Sequence, residues 1–290
     1  MPAMSGLLVS IIVPTKNSAA ILPRLLDSIR AQTYQPLEVI IVDNHSTDGE
    51  PELVRSRYPE ARFFTQGPER NVQRNFGARQ ARGEFVMFFD SDMELGPALV
   101  SDCVRLAGQG AGAVIIPEEG GGGGFWAECQ KLEKRCYFND PFMEAANRFI
   151  RASAYWKVGG YSETMIAGED FDLHDKLKAA GFKIARTDVA LVHHETAGFW
   201  SVVRKKFYYG SLMREYLARA GATGVKRFAP VKPAFLRQWR LLARDPLHAA
   251  GLLAMKTTQW AAGFLGLLWS FVRPAKRRES AAPPASNKGS

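Results

Sequence analysis

At 290 residues, 46% hydrophobic and 23% charged, the chain is long enough to bury a sizeable core and too apolar to stay disordered. Three cysteines, an odd number, argue against a disulfide framework and fit a reducing compartment. The net charge of +9 is lopsided: residues 201–290 hold 17 Lys+Arg against 3 Asp+Glu, and residues 1–200 hold 21 against 26, so a mildly acidic body joins a basic third suited to an anionic partner, nucleic acid or phospholipid.

Met1–Leu8 has no basic n-region, and the apolar run after it is broken by Pro14 and Lys16, a pattern unlike a signal peptide that places the protein in the cytoplasm. Leu8–Val13 reads as a short buried strand ending at Pro14. Ile21, Leu22, Leu25, Leu26 and Ile29 recur at helical spacing, and Leu37–Val42 is a second buried strand ending in Asp43. A weaker helix over Glu52–Tyr58, a strand over Ala61–Thr65 and a helix over Asn71–Arg82 follow. Phe85–Phe89 (FVMFF) is the clearest strand and runs straight into Asp90. Leu99–Ala107 reads as helix and Ala113–Ile116 as strand; the glycine run Gly120–Gly124 is expected to be a mobile loop. Trp126–Tyr137 is helical, Asn147–Ile150 a strand, Gly168–Ala180 a helix, and Val189–Val192 a last strand delivering His193 and His194. Strands alternating with helices imply βαβ units and a mostly parallel sheet flanked by helices.

Polar residues gather where strands end: Pro14-Thr15-Lys16-Asn17, Asp43-Asn44-His45-Ser46 and Asp90-Ser91-Asp92. In open α/β sheets the ligand crevice lies at that edge. Two carboxylates one residue apart at a strand exit can share a divalent cation, and hard oxygen ligands suit Mg²⁺ or Mn²⁺. An isolated D-x-D is more often a solvated turn; its place after FVMFF, beside two further polar strand ends, favours a ligand site. Asp43 can accept from a base or ribose, or simply close an Asx turn with Ser46. Arg74 and Asn75 lie nearest the strand edge at a helix start that can hold phosphate, whereas Arg79 and Arg82 fit a solvated face. Glu169-Asp170 opens a helix, where the dipole alone favours acids; a carboxylate there can also serve as general base. Of His193 and His194, period-2 geometry lets at most one reach the crevice as a further ligand.

VSIIVPTKNSAAILPRLLDSI, LEVIIVDNHSTDG, RNFGARQARGEFVMFFDSD, VGGYSE and AGEDFDLHDKLKAAGFKI resemble, in order, the motifs of family 2 glycosyltransferases with the GT-A fold, over residues 8–195. The resemblance implies inverting transfer of a sugar from a nucleotide-diphosphate donor. It puts Pro14, Thr15, Asn17 and Asp43 at nucleotide-binding positions and Asp90 and Asp92 on the D-x-D pair, with Asp92 the direct metal ligand. Asp170 of the Glu169-Asp170 pair matches the catalytic base, and His194 falls near the extra metal or diphosphate ligand of some members. Asp43-Asn44 departs from the paired acids of many members, and no Q-x-x-R-W motif follows the base, which favours single transfer over processive polymerisation.

The expected organisation is a catalytic domain over 1–199 (nucleotide-sugar half 8–117, acceptor half 118–199), a basic helical extension over 200–279 and a disordered tail over 280–290. Pro246–Val272 has 27 residues and one formal charge, Lys256. Its uncharged stretch, Thr257–Val272, has 16 residues, short of the roughly 20 a membrane span needs. Trp260 and Trp269, flanked by Arg237, Arg240, Arg244, Arg273, Lys276, Arg277 and Arg278, match helices lying on the cytoplasmic face of an anionic membrane; a buried packing helix is the plain alternative. A membrane berth suits a glycan or polyprenyl-linked acceptor. Competing functions are a non-catalytic module binding nucleotide sugar or nucleic acid, since RKKFYY mixes cations with aromatics, and a nucleotidyltransferase. The acidic body and the absence of a G-x-G phosphate loop weigh against nucleic acid and nucleotidyl transfer respectively.

Overall fold

The structure, a computed structural model, describes residues 6–138, 140, 146–194, 199–227 and 233–272. The expectations for the tail over 280–290 and for Arg273, Lys276, Arg277 and Arg278 concern residues outside these.

The chain opens with β1 (Val9–Thr15), α1 (Leu22–Arg30), β2 (Leu37–Asp43), α2 (Glu50–Arg57), β3 (Arg62–Thr65), α3 (Arg70–Gln80) and β4 (Phe85–Phe88). It continues through β5 (Met93–Glu94), α4 (Leu99–Gly108), β6 (Ala113–Ile115), β7 (Glu118–Gly120), α5 (Phe125–Tyr137), β8 (Asn147–Arg151) and α6 (Ala152–Lys157). Next come α7 (Glu169–Ala179), β9 (Ile184–Arg186) and β10 (Leu191–His193). Five helices close it: α8 (Phe199–Leu212), α9 (Arg214–Arg227), α10 (Pro233–Arg237), α11 (Trp239–Arg244) and α12 (Pro246–Val272).

The main sheet has the order β3-β2-β1-β4-β8-β6-β9. All neighbours are parallel except β8, which runs antiparallel to both β4 and β6. The mostly parallel sheet is therefore present, interrupted by one reversed strand. A second sheet, β5-β10-β7, holds three short strands. Two of them, Met93–Glu94 and Glu118–Gly120, carry no apolar run that could announce them. Gly120 thus lies in a strand, contrary to the loop expected there, and only Gly121–Gly124 are irregular.

Period-2 alternation splits the central strands between two cores. Val9, Ile11 and Val13 face a cluster with Leu22, Leu25 and Val104, whereas Ile12, Ile40 and Val42 face one with Ala78, Tyr155 and Leu173. Each such aliphatic side chain, fully buried, stabilises the fold by about 1.5–3 kcal/mol. Helix α3 comes close to the sheet through Gly77, where a Cβ would sit 2.5 Å from Ile12 Cγ2. This brings the start of α3 to the carboxyl ends of β1 and β4.

Helices α8 and α12 cross backbone to backbone. A Cβ on Gly210 of α8 would lie 2.1 Å from the Gly263 carbonyl oxygen, and one on Gly266 of α12 would lie 2.1 Å from that of Phe207. Gly251 of α12 packs on the side chains of Phe125 and Cys129 of α5. Gly251, Gly263 and Gly266 are thus the points where α12 is crossed. The outer face of α12 is apolar and exposed at Leu253, Trp260, Phe264, Leu265, Leu268 and Phe271. No described helix is long and apolar enough to cross a membrane.

Candidate active site

Strands β1 and β4 end side by side beneath a polar cavity of about 190 Å³. Pro14, Thr15 and Ser18 line one side, Asp90, Ser91 and Asp92 another, with Arg70, His193 and Lys205 completing the wall. Ser91 Oγ donates to Ser18 Oγ at 3.0 Å and so joins the two strand ends.

Asn17, Asp43 and Ser46 do not line this cavity. They tie the loop after β1 to the loop after β2. The Asn17 amide donates to Ser46 Oγ at 2.7 Å, and Asn17 Oδ1 accepts from the Thr47 amide at 2.9 Å. The Ser46 hydroxyl donates to the buried Asp43 carboxylate, which also accepts from the Ser46 amide at 3.0 Å. The Asx-turn reading of Asp43 is thus what the geometry contains. Asn75 is likewise turned away from the crevice. It is buried, accepts from the Tyr155 hydroxyl at 2.5 Å, and donates to the Tyr161 carbonyl and to Glu163, so it braces the turn before α7.

Asp90 and Asp92 line the same cavity but take different partners. Asp90 Oδ1 accepts from Arg74 Nη2 at 3.0 Å, and its other oxygen lies 3.7 Å from Arg70 Nη1. Burial works to raise the Asp90 carboxyl, but Arg70, Arg74 and Arg148 together hold it well below the usual carboxylate range. Arg74, 2% exposed, also sits 3.7 Å from Glu169 Oε1 and 4.8 Å over the Tyr161 ring. Asp92 instead meets His193, with Oδ1 3.2 Å from Nε2. The other ring nitrogen, Nδ1, is 2.9 Å from Glu118 Oε2. Burial lowers His193, but hydrogen bonds to Asp92 and Glu118 outweigh it and push the imidazole up to about 9. His193 is therefore the strand-end histidine at the cavity, and His194, expected there, is not. His194 Nε2 lies 2.7 Å from Glu94 on the other side, as the alternation of β10 requires.

Glu169 and Asp170 open α7 after Gly168, whose positive φ of 83° turns the chain into the helix. A Cβ at Gly168 would also strike the Tyr216 ring of α9 at 2.6 Å. The two acids part company from there. Glu169 points to Arg74, and burial together with the charge of Asp170 raises it, to about 7. Asp170 lines a second cavity of about 350 Å³ and accepts from the Tyr161 hydroxyl at 3.2 Å. Glu118, Lys134, Lys206 and Gln259 share that cavity. Glu118 therefore stands between the two chambers, bound to His193 on one side and to Arg148 on the other. The consecutive residues Lys205 and Lys206 of α8 line the smaller and the larger cavity respectively.

Glu118 and Arg148 escaped the sequence reading, which left His193 and His194 as alternatives and took Lys205 only as part of the RKKFYY run. Glu118 follows the apolar run Ala113–Ile116 after one proline, the same strand-end position that singled out Asp90. Arg148 carried a weaker signal, a cation just ahead of the apolar pair Phe149-Ile150 in β8.

The donors present suit a divalent cation in a limited way. Among the described residues no three His, Cys, Asp or Glu side chains are grouped to hold an ion unaided. Mg²⁺ and Mn²⁺ at phosphate sites commonly take one or two carboxylates and fill their remaining positions with phosphate oxygens and water. Asp92, with 32% of its side chain exposed, fits that role; His193 adds a nitrogen once it sheds its proton. Asp90 lines the same cavity and is paired there with Arg74 and Arg70.

A seven-stranded α/β sheet with its polar cavity at the carboxyl edge, backed by an acid pair opening a later helix, defines a protein of the GT-A type. Comparison with known proteins bears this out. The mannosyltransferase PcManGT of Pyrobaculum calidifontis, solved with GDP-Man and Mn²⁺, superposes with a TM-score of 0.63 over 90% of this chain and 87% of its own, at 20% identity. The glycosyl transferase family 2 model matches residues 10–165, and the chain belongs to that family. A Campylobacter jejuni GalNAc(5)-diNAcBac-PP-undecaprenol beta-1,3-glucosyltransferase is 35% identical over 123 residues, 38% of this chain and 39% of its own. The Staphylococcus aureus poly(ribitol-phosphate) beta-N-acetylglucosaminyltransferase TarS is 27% identical over 273 residues, 91% of this chain and 44% of its own. The chain thus spans less than half the length of these two relatives.

Proposed function

We propose that the protein transfers a sugar, with inversion, from a nucleotide-diphosphate donor to a hydroxyl of a lipid-linked or cell-envelope glycan. The observation that carries this is the pair of adjoining chambers. One gathers Arg70, Lys205 and His193 around Asp92, and the other presents the Asp170 carboxylate, with Glu118 and His193 between them. The smaller chamber suits a diphosphate. Arg70 and Lys205 bring positive charge to where the leaving group gains an electron pair. A divalent cation held at Asp92 would supply Lewis-acid stabilisation of that diphosphate. Asp170 takes the acceptor proton as the new carbon–oxygen bond forms and the bond to the diphosphate breaks. The Tyr161 hydroxyl fixes the orientation of Asp170, and Arg74 holds the neighbouring Glu169 aside.

The relatives support the choice of acceptor, because the name of the Campylobacter transferase contains an undecaprenol-linked glycan. The exposed apolar face of α12 supports a berth for the C-terminal helices, residues 200–279, on the anionic cytoplasmic surface of a membrane.

Turnover assayed across a panel of nucleotide sugars with Mn²⁺ or Mg²⁺ tests the reading. Asp92→Ala should lose metal-dependent turnover. Asp170→Asn should retain nucleotide binding while transfer falls by about 10²–10⁴. A wild-type protein with no turnover on any donor and no metal-dependent nucleotide binding would refute it.

A further inference from the structure

The larger cavity mixes hydrogen-bonding groups of both senses with apolar walls. Three carboxylates, Glu118, Glu133 and Asp170, outnumber two ammonium groups, Lys134 and Lys206, so the lining does not favour an anion. Phe171 and Val202 supply apolar surface. A ring that offers hydroxyls at its edge and C–H bonds on its faces matches that combination. At about 350 Å³ the space falls at the lower end of the usual range for small-molecule sites, roughly 300–1,000 Å³.

Gln259 is the wall residue whose chemistry is best defined. It comes from α12, is 5% exposed, and is held by Lys256. The Lys256 ammonium donates to Gln259 Oε1 at 3.2 Å and to Glu133 Oε1 at 2.7 Å. An ammonium only donates, so it fixes which end of the amide it meets. The NH₂ group is then what Gln259 offers the cavity.

Resting on the transferase reading above, we infer that this cavity takes the neutral sugar ring of the acceptor. Gln259, oriented by the Lys256–Glu133 pair, is a specificity-determining residue that donates to an oxygen of that ring. Helix α12 thereby contributes to the site through one side and presents Trp260 and Phe264 on its exposed side. An acceptor carrying its sugar on an apolar chain meets both.

Octyl glycosides of glucose, galactose, mannose and N-acetylglucosamine, below their micelle concentrations, are suitable probes. Binding is read by saturation-transfer NMR on the full chain, with an octyl oligoethylene glycol as the sugar-free control. At least one glycoside should bind the wild type more tightly than the control. Gln259→Leu and Gln259→Glu should each weaken it about fivefold to tenfold, the loss expected for one hydrogen bond. Nucleotide-sugar binding and thermal unfolding of both variants should stay unchanged. Glycosides that bind variant and wild type equally, or none that binds the wild type while nucleotide sugars do, would overturn the inference and leave the transferase reading standing. A wild type that binds neither class would bring down both.

Discussion

Arg74→Met removes a cation around which much of the site is arranged. The guanidinium is 2% exposed, 3.0 Å from Asp90 and 3.7 Å from Glu169, so its loss leaves two buried carboxylates short of a partner. Breaking a buried pair by deleting one member costs about 3–5 kcal/mol, because the remaining charge is desolvated without compensation. Loss of the stacking on Tyr161 adds roughly 0.5–1 kcal/mol. Arg70 and Arg148 still act on Asp90, which places the expected total near the lower bound, about 3 kcal/mol. Equilibrium urea unfolding measures it, and the thermal midpoint should fall by roughly 6–12 °C. The sign with pH is fixed too. Asp90 is held below its unfolded value, so its contribution is present above the unfolded pKa and is lost as pH falls toward the folded one. The gap between variant and wild type should therefore narrow in acid. A variant within 1 kcal/mol of wild type at neutral pH, or a gap that widens in acid, would refute the reasoning.

Glu169→Gln should act in the opposite sense. The wild-type carboxyl is raised from an ordinary 4.5 to about 7, so the folded state binds more protons between those values and stability falls as pH rises across that window. The glutamine variant lacks this slope and should gain up to about 3 kcal/mol relative to wild type by neutral pH, read from unfolding curves at stepped pH. A second test concerns Trp260 and Phe264, whose exposed rings stack at 5.5 Å on the outer face of α12. Replacing both by serine should weaken co-sedimentation with phosphatidylglycerol vesicles by at least about tenfold, an energy of 1.4 kcal/mol that partial burial of either ring exceeds. Equal sedimentation of the two proteins would remove the case for a membrane berth.

Much of the sheet was legible because β1, β2 and β4 are continuous apolar runs and their helices repeat at 3.6 residues. The strands that escaped, β5, β7 and β9, are three residues or fewer, so periodicity had nothing to register. The reversal of β8 is a tertiary outcome, since an apolar segment reads the same in either direction. At the site, the strand-end rule located Thr15, Asp90 and Asp92 but could not say which neighbours each would choose. Asp90 went to arginines on α3, and Asn75, one residue past Arg74, turned away into the turn before α7. The choice of His193 over His194 follows from a register that the sequence leaves open.

Lys205 and Lys206 are neighbours in sequence yet belong to different chambers, so α8 acts as a shared partition. A partition of this kind cannot withdraw from one room without disturbing the other. Because α8 meets α12 backbone to backbone at Gly210 and Gly266, the two helices have little room to slide independently. On the proposed transferase reading, departure of the spent nucleotide and of the product would then be mechanically linked, and a compulsory order of release is the kinetic pattern to look for.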